Sequence, residues 1–298
     1  MVMNKKTQIK GYILVVLSAL LFGCMPLITR YIYNDGLNRE SVVLMRNLLA
    51  LPLLAALTWG QEKSFRIPVK ALPSVVVLAL LGSCLTPLLL YGSYQYIATG
   101  VATVFHFVYP VVVVLIGLVV LRKKLNWKTV CAVALCVVGI GLFYNPADPL
   151  NWTGCAFALL SGVIYAVYIV VLSVFRYKEI SGFKLTFYIS VVCSVAMLAV
   201  CLVTNKLTLP ATLTGWLLCG LLALVVNVGA VVMFQKGTFY IGGEKSSVLS
   251  TVEPLTGVVL GIAVFDENVT VFAAFGAALV IAACILIALS DSKEGNNV

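Results

Sequence analysis

Three ionizable residues stand inside long apolar stretches of this chain: Arg46, His106 and Glu253. In a segment that crosses a bilayer, a charged group costs about 2.5–3.5 kcal/mol on insertion scales, so such residues usually serve a function. Glu253 could bind a substrate ammonium or a coupling proton, and Arg46 a substrate carboxylate. His106 could relay a proton, because imidazole titrates near neutral pH. These residue types therefore predict a site that handles a small charged solute.

Each of the three residues also has a structural interpretation. Glu253 could be protonated, or paired with Arg46, Lys245 or a backbone amide at a helix break. Arg46 lies close to a predicted helix end, from which a long side chain can reach the interface. His106, the sole histidine, could be a hydrogen-bonded packing residue.

Two prolines, Pro110 and Pro254, each lack the amide that would bond the carbonyl four residues earlier, which frees the oxygens of His106 and Ser250. At membrane depth, a broken helix is tolerated where it lines a cavity or packs against protein. The two prolines therefore predict the wall of a cavity, with simple packing kinks as the alternative. The residues just before the prolines face related parts of that wall in this prediction: Tyr109 and Glu253.

Other deep aromatic and amide residues are candidates for the same wall, whereas tyrosines at the ends of apolar stretches fit an interfacial belt. Gly257 and Gly261, four residues apart, would permit close helix contact. The predicted substrate-binding set is Glu253, His106, Tyr109, Arg46, Tyr91, Tyr165, Asn227 and Ser250. The predicted structural or gating set is Pro110, Pro254, Gly257 and Gly261.

The elements that must position these residues follow from composition: 62% of the residues are hydrophobic and only 10% are charged. A soluble domain carries about 25% charge, and a membrane-spanning helix needs roughly 20 apolar residues. Strands are disfavoured, because stretches such as residues 111–121 are apolar at every position instead of alternating. We expect an all-α integral membrane protein with ten transmembrane helices around a central cavity. The expected spans are 11–31, 41–59, 73–95, 99–121, 129–145, 152–175, 182–203, 215–235, 246–265 and 270–290.

Basic residues alternate along the chain and predict its orientation. Most of the 20 Lys and Arg residues fall in the amino-terminal tail and in every second loop, so the positive-inside rule puts both termini in the cytoplasm. This distribution explains the net charge of +9, so the charge does not indicate binding of nucleic acid. The nine cysteines all fall in predicted spans without a Cys-x-x-Cys pair, which argues against disulfides and zinc. We expect no metal and no cofactor.

The chain also repeats itself. A shift of 144 positions lays residues 96–110 on residues 240–254, with Pro110 on Pro254. A shift of 143 places Gly11 and Ser18 on Gly154 and Ser161. We expect two five-helix repeats, residues 1–148 and 149–298. Because five is odd, the second repeat must enter the membrane inverted. The basic loop at 122–128 and its acidic counterpart at 266–269 agree with that geometry.

These features together resemble the EamA-type transporters of the drug/metabolite transporter superfamily. The resemblance covers nearly the whole chain. It rests on the two half-repeats, on Glu253–Pro254, on the turn at 265–269 and on the small residues at 275–278. Lys123 stands where the family usually has a glutamate in the equivalent turn of the first repeat. The resemblance implies a carrier of amino acids, related metabolites or drugs, often an exporter, with a cavity that opens alternately to each side.

We expect a secondary active transporter of small metabolites in a bacterial plasma membrane, because the sequence has no Gly-x-x-x-x-Gly-Lys loop for a nucleotide. A proton is a candidate coupling ion, and both a monomer and a homodimer are compatible with the sequence. A carrier of quaternary ammonium or drug-like compounds is an alternative, since aromatic side chains and Glu253 would suit such a cation. A pore or lipid scramblase is another. A membrane enzyme would need clustered histidines or carboxylates, and the apolar stretches hold one of each.

Overall fold

The computed structural model describes residues 5–122, 126–142, 151–175, 177, 180–256, 259–260 and 271–294. Within those ranges the secondary structure is helical throughout, with no strand. In chain order the segments are α1 (Lys5–Asn34), α2 (Arg39–Glu62), α3 (Val69–Ser93), α4 (Thr99–His106 and Tyr109–Val119), α5 (Trp127–Gly141), α6 (Trp152–Ser173), α7 (Gly182–Val203), α8 (Leu213–Ile241), α9 (Gly243–Leu249) and α10 (Val271–Glu294).

Seven of these segments are long and apolar enough to cross a membrane: α1, α2, α3, α4, α6, α7 and α8. In hydrocarbon every backbone polar group must be satisfied internally, and an α-helix achieves this without neighbours. The expectation of a helical membrane protein is therefore confirmed. Ten crossings and cytoplasmic termini stay predictions.

Polar side chains mark where several helices begin. Asn38, Asn126, Asn151, Ser181 and Thr212 each accept a hydrogen bond from a backbone amide in the first turn of the following helix. Such caps satisfy amides that have no partner inside the helix. The polar segments between the apolar runs thus fix the starts of α2, α5, α6, α7 and α8.

Irregular helical turns recur at the spacing of the sequence repeat. A π-helical stretch interrupts α3 at Ala79–Leu85, and another interrupts α8 at Ala223–Val231, 144 positions later. In α4 the helix stops at His106 and resumes at Tyr109. At the corresponding place after α9, a 3-10 turn covers Ser250–Val252. The two halves therefore deviate from regular α-helix at matching positions.

Helix contacts repeat in the same way. An added Cβ on Gly11 of α1 would lie 2.8 Å from the Cβ of Tyr240 at the end of α8. An added Cβ on Gly154 of α6 would lie 2.8 Å from the Cβ of Tyr96, just after α3. The first helix of each half thus packs against the third helix of the other half. The predicted boundary at residue 148 lies outside the described residues, as do the turns at 123–125 and 265–269.

Candidate functional site

A cavity of about 50 Å³ lies in the middle of the helix bundle. Residues from α1, α2, α3, α4, α6 and α8 contribute to its wall, together with the segment that follows α9. The lining residues are Phe22, Met25, Arg46, Gly82, Ser83, Thr86, Pro87, Leu90, His106, Tyr165, Tyr168, Val231, Phe234 and Glu253. All three ionizable residues singled out in the sequence are among them.

Most of the wall consists of residues related by the internal repeat. Two pairs are 143 positions apart and two are 144 apart: Phe22 with Tyr165, Met25 with Tyr168, Pro87 with Val231, and Leu90 with Phe234. Each half therefore supplies an equivalent set of side chains. It follows that the cavity lies between the two repeats.

Arg46 contributes a buried cation. Its side chain lies in the second turn of α2 and is only 3% exposed. Nη1 donates a hydrogen bond of 2.8 Å to the hydroxyl of Tyr91, while Nε has no partner among the described residues. The side chain of Arg46 is thus enclosed by the helix bundle. A guanidinium held in this way keeps donors free for an anionic group.

Tyr91 lies behind Arg46 and is not part of the cavity wall. It is fully buried, and its carbonyl accepts a hydrogen bond of 2.9 Å from the hydroxyl of Tyr33. Its ring lies 5.7 Å from the Arg46 guanidinium carbon. The structure thus gives Tyr91 contacts that orient Arg46, although the sequence suggested direct substrate contact.

His106 reaches the cavity from the end of the first part of α4. Its Nδ1 lies 2.8 Å from the hydroxyl of Ser161 on α6, and that hydroxyl donates to the carbonyl of Ala158 at 2.6 Å. With the Ser161 hydroxyl donating to Ala158, Nδ1 is assigned as the donor in the His106–Ser161 bond. Nε2 of the neutral ring is then an acceptor. Ser161 is the residue that the repeat aligns with Ser18.

The break in α4 is covered by close packing against α6. An added Cβ on Gly162 would collide with the carbonyl oxygen of His106, so the backbones meet directly. Pro110 stands in the first turn of the second part of α4. The carbonyl that the proline frees thus faces protein and not lipid. Tyr109 is fully buried beside it, and its hydroxyl has no partner among the described residues.

Glu253 follows the 3-10 turn after α9 and precedes Pro254. Its side chain lines the cavity. Within the described part of the chain, no salt bridge of 4 Å or less joins Glu253 to Arg46. Ser250 is buried, and its hydroxyl donates to the carbonyl of Ser246 at 2.8 Å, so it supports the turn and does not form the wall.

Aromatic rings form one side of the cavity. Tyr165 stacks on Tyr168 with ring centroids 5.6 Å apart and on Phe234 at 5.9 Å. It also meets Tyr109 edge to face at 5.0 Å and His106 at 5.5 Å. Negative ring faces of this kind attract cationic groups.

Asn227 belongs to a separate polar cluster. Its amide donates to Asn47 at 2.8 Å and to Ser190 at 3.4 Å, between α2, α7 and α8. Neither residue of that amide pair lines the cavity. Gly257 and Gly261 lie outside the described residues. The sequence did not lead us to predict Phe234 as a cavity residue. Its alignment with Leu90 at the shift of 144 could have identified it.

Known proteins are similar to this chain over most of its length. The EamA-like transporter family matches residues 9–145 and again residues 152–289. An uncharacterized transporter of Archaeoglobus fulgidus is 27% identical over 93% of this chain and 95% of its own length. The uncharacterized inner membrane transporter YicL of Salmonella typhimurium is 22% identical over 96% of this chain and 97% of its own.

A solved crystal structure supports the fold alone. It superposes with a TM-score of 0.75 at 16% identity, covering 98% of this chain and 99% of that one. The two family matches and the transporter-named relatives favour a membrane transporter over an enzyme. The chain belongs to the EamA-like transporter family.

Proposed function

We propose that the protein is a secondary active transporter that exports small zwitterionic metabolites, such as amino acids or related compounds, across a bacterial plasma membrane by alternating access. One observation carries the proposal. Arg46 and Glu253 line the same cavity and form no salt bridge with each other.

Electrostatics explains why this arrangement suits a zwitterion. A buried charge without a partner is costly, and a partner of opposite charge recovers much of that cost in a low-dielectric site. A substrate carboxylate can receive the free Arg46 donors, and a substrate ammonium can bind the Glu253 carboxylate. A solute that carries both groups satisfies both residues at once, whereas a solute with one group leaves a charge unpaired.

The size of the cavity supports alternating access. A buried water needs roughly 10–15 Å³ of volume that the centre of a water-sized sphere can occupy. By the same definition the cavity has about 50 Å³, so it holds a few waters and no metabolite. The wall must therefore separate for a substrate to enter. Because each repeat supplies an equivalent part of the wall, motion of one repeat against the other would open either side in turn.

A proton is the proposed coupling ion. Glu253 can carry it, and His106, with Nε2 assigned as an acceptor, can exchange it. Both side chains line the same space, so proton and substrate would compete for one acidic group. Such competition couples the two fluxes without a nucleotide. Both a monomer and a homodimer remain compatible with this mechanism.

A carrier of quaternary ammonium compounds is the second candidate. The stacked rings of Tyr165, Tyr168 and Phe234, together with Glu253, would suit a cation that has no carboxylate. The role of Arg46 distinguishes the zwitterion carrier from the quaternary ammonium carrier, because a purely cationic substrate has no carboxylate for the guanidinium to bind.

Counterflow in proteoliposomes tests the proposal. Amino acids, their decarboxylated amines, their deaminated acids and choline-type cations would be supplied in turn to the wild type, Arg46→Gln and Glu253→Gln. We expect saturable counterflow of the zwitterions only, lowered by at least about tenfold in both variants. Transport of cations that survives Arg46→Gln would establish the second candidate. Large flux without saturation would indicate a pore or scramblase and would refute the carrier.

A further inference from the structure

A second concave site lies far from the cavity, where α2 ends. It is an open groove of about 480 Å³ lined by Trp59, Lys63, Ser64, Phe65, Arg66 and Tyr188. Trp59 is 52% exposed, and Lys63 and Arg66 are exposed as well. The transport mechanism uses none of these side chains.

The backbone of this groove is held in place by several contacts. The hydroxyl of Tyr188 donates to the carbonyl of Phe65 at 2.5 Å. The ammonium of Lys184 donates to the carbonyl of Arg66 at 3.2 Å. The amide of Arg66 donates to the Ser64 hydroxyl at 3.1 Å. Because the carbonyls turn inward to α7, the loop presents a fixed shape to a ligand.

Aromatic packing fixes the other wall of the groove. The ring of Phe65 stacks on Trp59 with centroids 5.9 Å apart and lies 5.3 Å from the ring of Phe187 on α7. The groove thus has an apolar wall beside two cations. Tryptophan in such a position is typical of the boundary between lipid tails and head groups.

The positive charge of the groove is not neutralised by the described part of the chain. Lys63 and Arg66 have no acidic partner within 4 Å there. The nearby Glu62 pairs with Lys184 and is already neutralised.

The repeat offers a direct comparison at the other end of the bundle. Lys63 aligns with Lys206 at the shift of 143. Lys206 pairs with Glu40 at 3.4 Å, and Arg39 pairs with the same carboxylate at 3.1 Å. Glu40 aligns with Phe183, so the second repeat has no acid for Lys63. Lys206 thus has a carboxylate partner, whereas its equivalent Lys63 has none among the described residues.

The groove lies at the level of lipid head groups. α2 has 24 residues, which at about 1.5 Å of rise per residue gives a length of roughly 36 Å. The hydrocarbon core is about 30 Å thick, so the end of α2 emerges into the head-group region. Leu53, six residues before Trp59 on α2, is exposed as well, where acyl chains would pass.

We propose that this groove binds the phosphate of an anionic phospholipid, with Lys63 and Arg66 on the phosphate and the acyl chains along Trp59. The basic loops at this end predict the cytoplasmic side, where anionic lipids attract clustered Lys and Arg. A lipid bound here would connect the α2–α3 loop to the start of α7.

Native mass spectrometry of the purified protein tests the proposal, with phosphatidylglycerol and phosphatidylcholine as the two probes. We expect preferential retention of phosphatidylglycerol. The double variant Lys63→Gln/Arg66→Gln should weaken that retention by about 5-fold for each charge removed, as expected for surface cations near anionic lipid. Lys206→Gln is the matched control, because Lys206 already pairs with Glu40, and this variant should retain the lipid as the wild type does.

Two outcomes would overturn the proposal. One is equal retention of both lipids by the wild type, or unchanged retention in a double variant that unfolds at the same temperature as the wild type. The other is displacement of phosphatidylglycerol by millimolar inorganic phosphate, which would show a site for a free anion and not for a lipid. Variants of Arg46 and Glu253 should leave lipid retention unchanged, so failure here is separable from failure of the transport proposal.

Discussion

Nη1 of Arg46 lies 2.8 Å from the hydroxyl oxygen of Tyr91 and donates a hydrogen bond to it. Arg46 lines the cavity, whereas Tyr91 lies fully buried behind it. A guanidinium fixed from behind keeps a constant position toward the cavity, at a lower entropy cost than a free side chain. The strength of substrate binding should therefore depend on a residue that does not touch the substrate.

Tyr91→Phe should weaken transport through Arg46. Removal of the hydroxyl leaves a buried donor unpaired, which costs about 1.5–3 kcal/mol for a charged group. We expect a higher KM in counterflow with a smaller change in maximal rate, and a lower unfolding temperature. Tyr31→Phe, at a position 44% exposed, is the control. An unchanged KM in Tyr91→Phe would contradict the positioning role.

Glu253→Gln should remove the acidic group from the cavity while keeping its shape. Loss of one ionic contact to the substrate is expected to lower transport by at least about tenfold, since tenfold corresponds to 1.4 kcal/mol. The remaining transport should vary less with pH between about 5 and 8 than in the wild type, because Glu253 no longer carries the proposed coupling proton while His106 is still present. Glu294→Gln, at the end of α10, serves as the control for the loss of a carboxylate. Wild-type kinetics and pH dependence in Glu253→Gln would exclude Glu253 from coupling.

Ser161→Ala should alter His106. Nδ1 of His106 loses its acceptor, so the tautomer with Nε2 as acceptor is no longer fixed. We expect a shifted pH profile of transport and a loss of about 0.5–1.5 kcal/mol in stability. Ser18→Ala is a matched control at the aligned position, because the Ser18 hydroxyl donates to the carbonyl of Ala230 at 2.8 Å and not to a histidine. Identical pH profiles for the two variants would remove the proposed role of Ser161.

Gly162→Ala should force α6 away from α4. The added Cβ collides with the carbonyl oxygen of His106, which is backbone and cannot rotate away. Overpacking of this kind typically costs about 1–3 kcal/mol. We expect a lower unfolding temperature in detergent, measured by the loss of monodisperse protein on heating. Gly220→Ala, where an added Cβ has no neighbour within 4 Å, should be neutral or stabilising, and equal loss in both variants would contradict this account.

Asp35 should make stability depend on pH at the junction between α1 and α8. The hydroxyl of Thr212 donates to its carboxylate at 2.5 Å and lowers its pKa. A carboxylate with a lowered folded pKa stabilises the protein fully above its unfolded pKa, about 3.9. That contribution is lost as the pH falls through the folded pKa.

Asp35→Asn should therefore unfold earlier than the wild type at pH 7, and the difference should shrink toward about pH 2 as the wild-type carboxylate is protonated. Thermal unfolding at the two pH values measures this. A difference that stays constant with pH would show that the charge of Asp35 is not the stabilising feature.

Much of the architecture could be predicted because membrane helices are specified locally. Each apolar run must satisfy its own backbone in lipid, so Gly182–Val203 and the other long runs appear as helices close to their predicted limits. The internal repeat could also be predicted from the sequence, because Pro110 and Pro254 are related by the shift of 144. In the structure an irregular helical turn precedes each of these prolines. Arg46, His106 and Glu253 were identified from the sequence alone. An ionizable side chain in an apolar membrane segment costs free energy, so such a residue usually serves a function.

The tertiary structure alone decided which of these residues meet. Helix periodicity does not tell which neighbour a side chain faces, so Tyr91 and Tyr165 were equivalent candidates in the sequence. Packing put Tyr165 on the cavity wall and Tyr91 behind Arg46. It also paired Asn227 with Asn47, 180 positions away. Contacts between distant helices depend on how the surfaces of whole helices pack together. The sequence pattern shows which face of a helix is apolar, but it does not show which helix packs against that face.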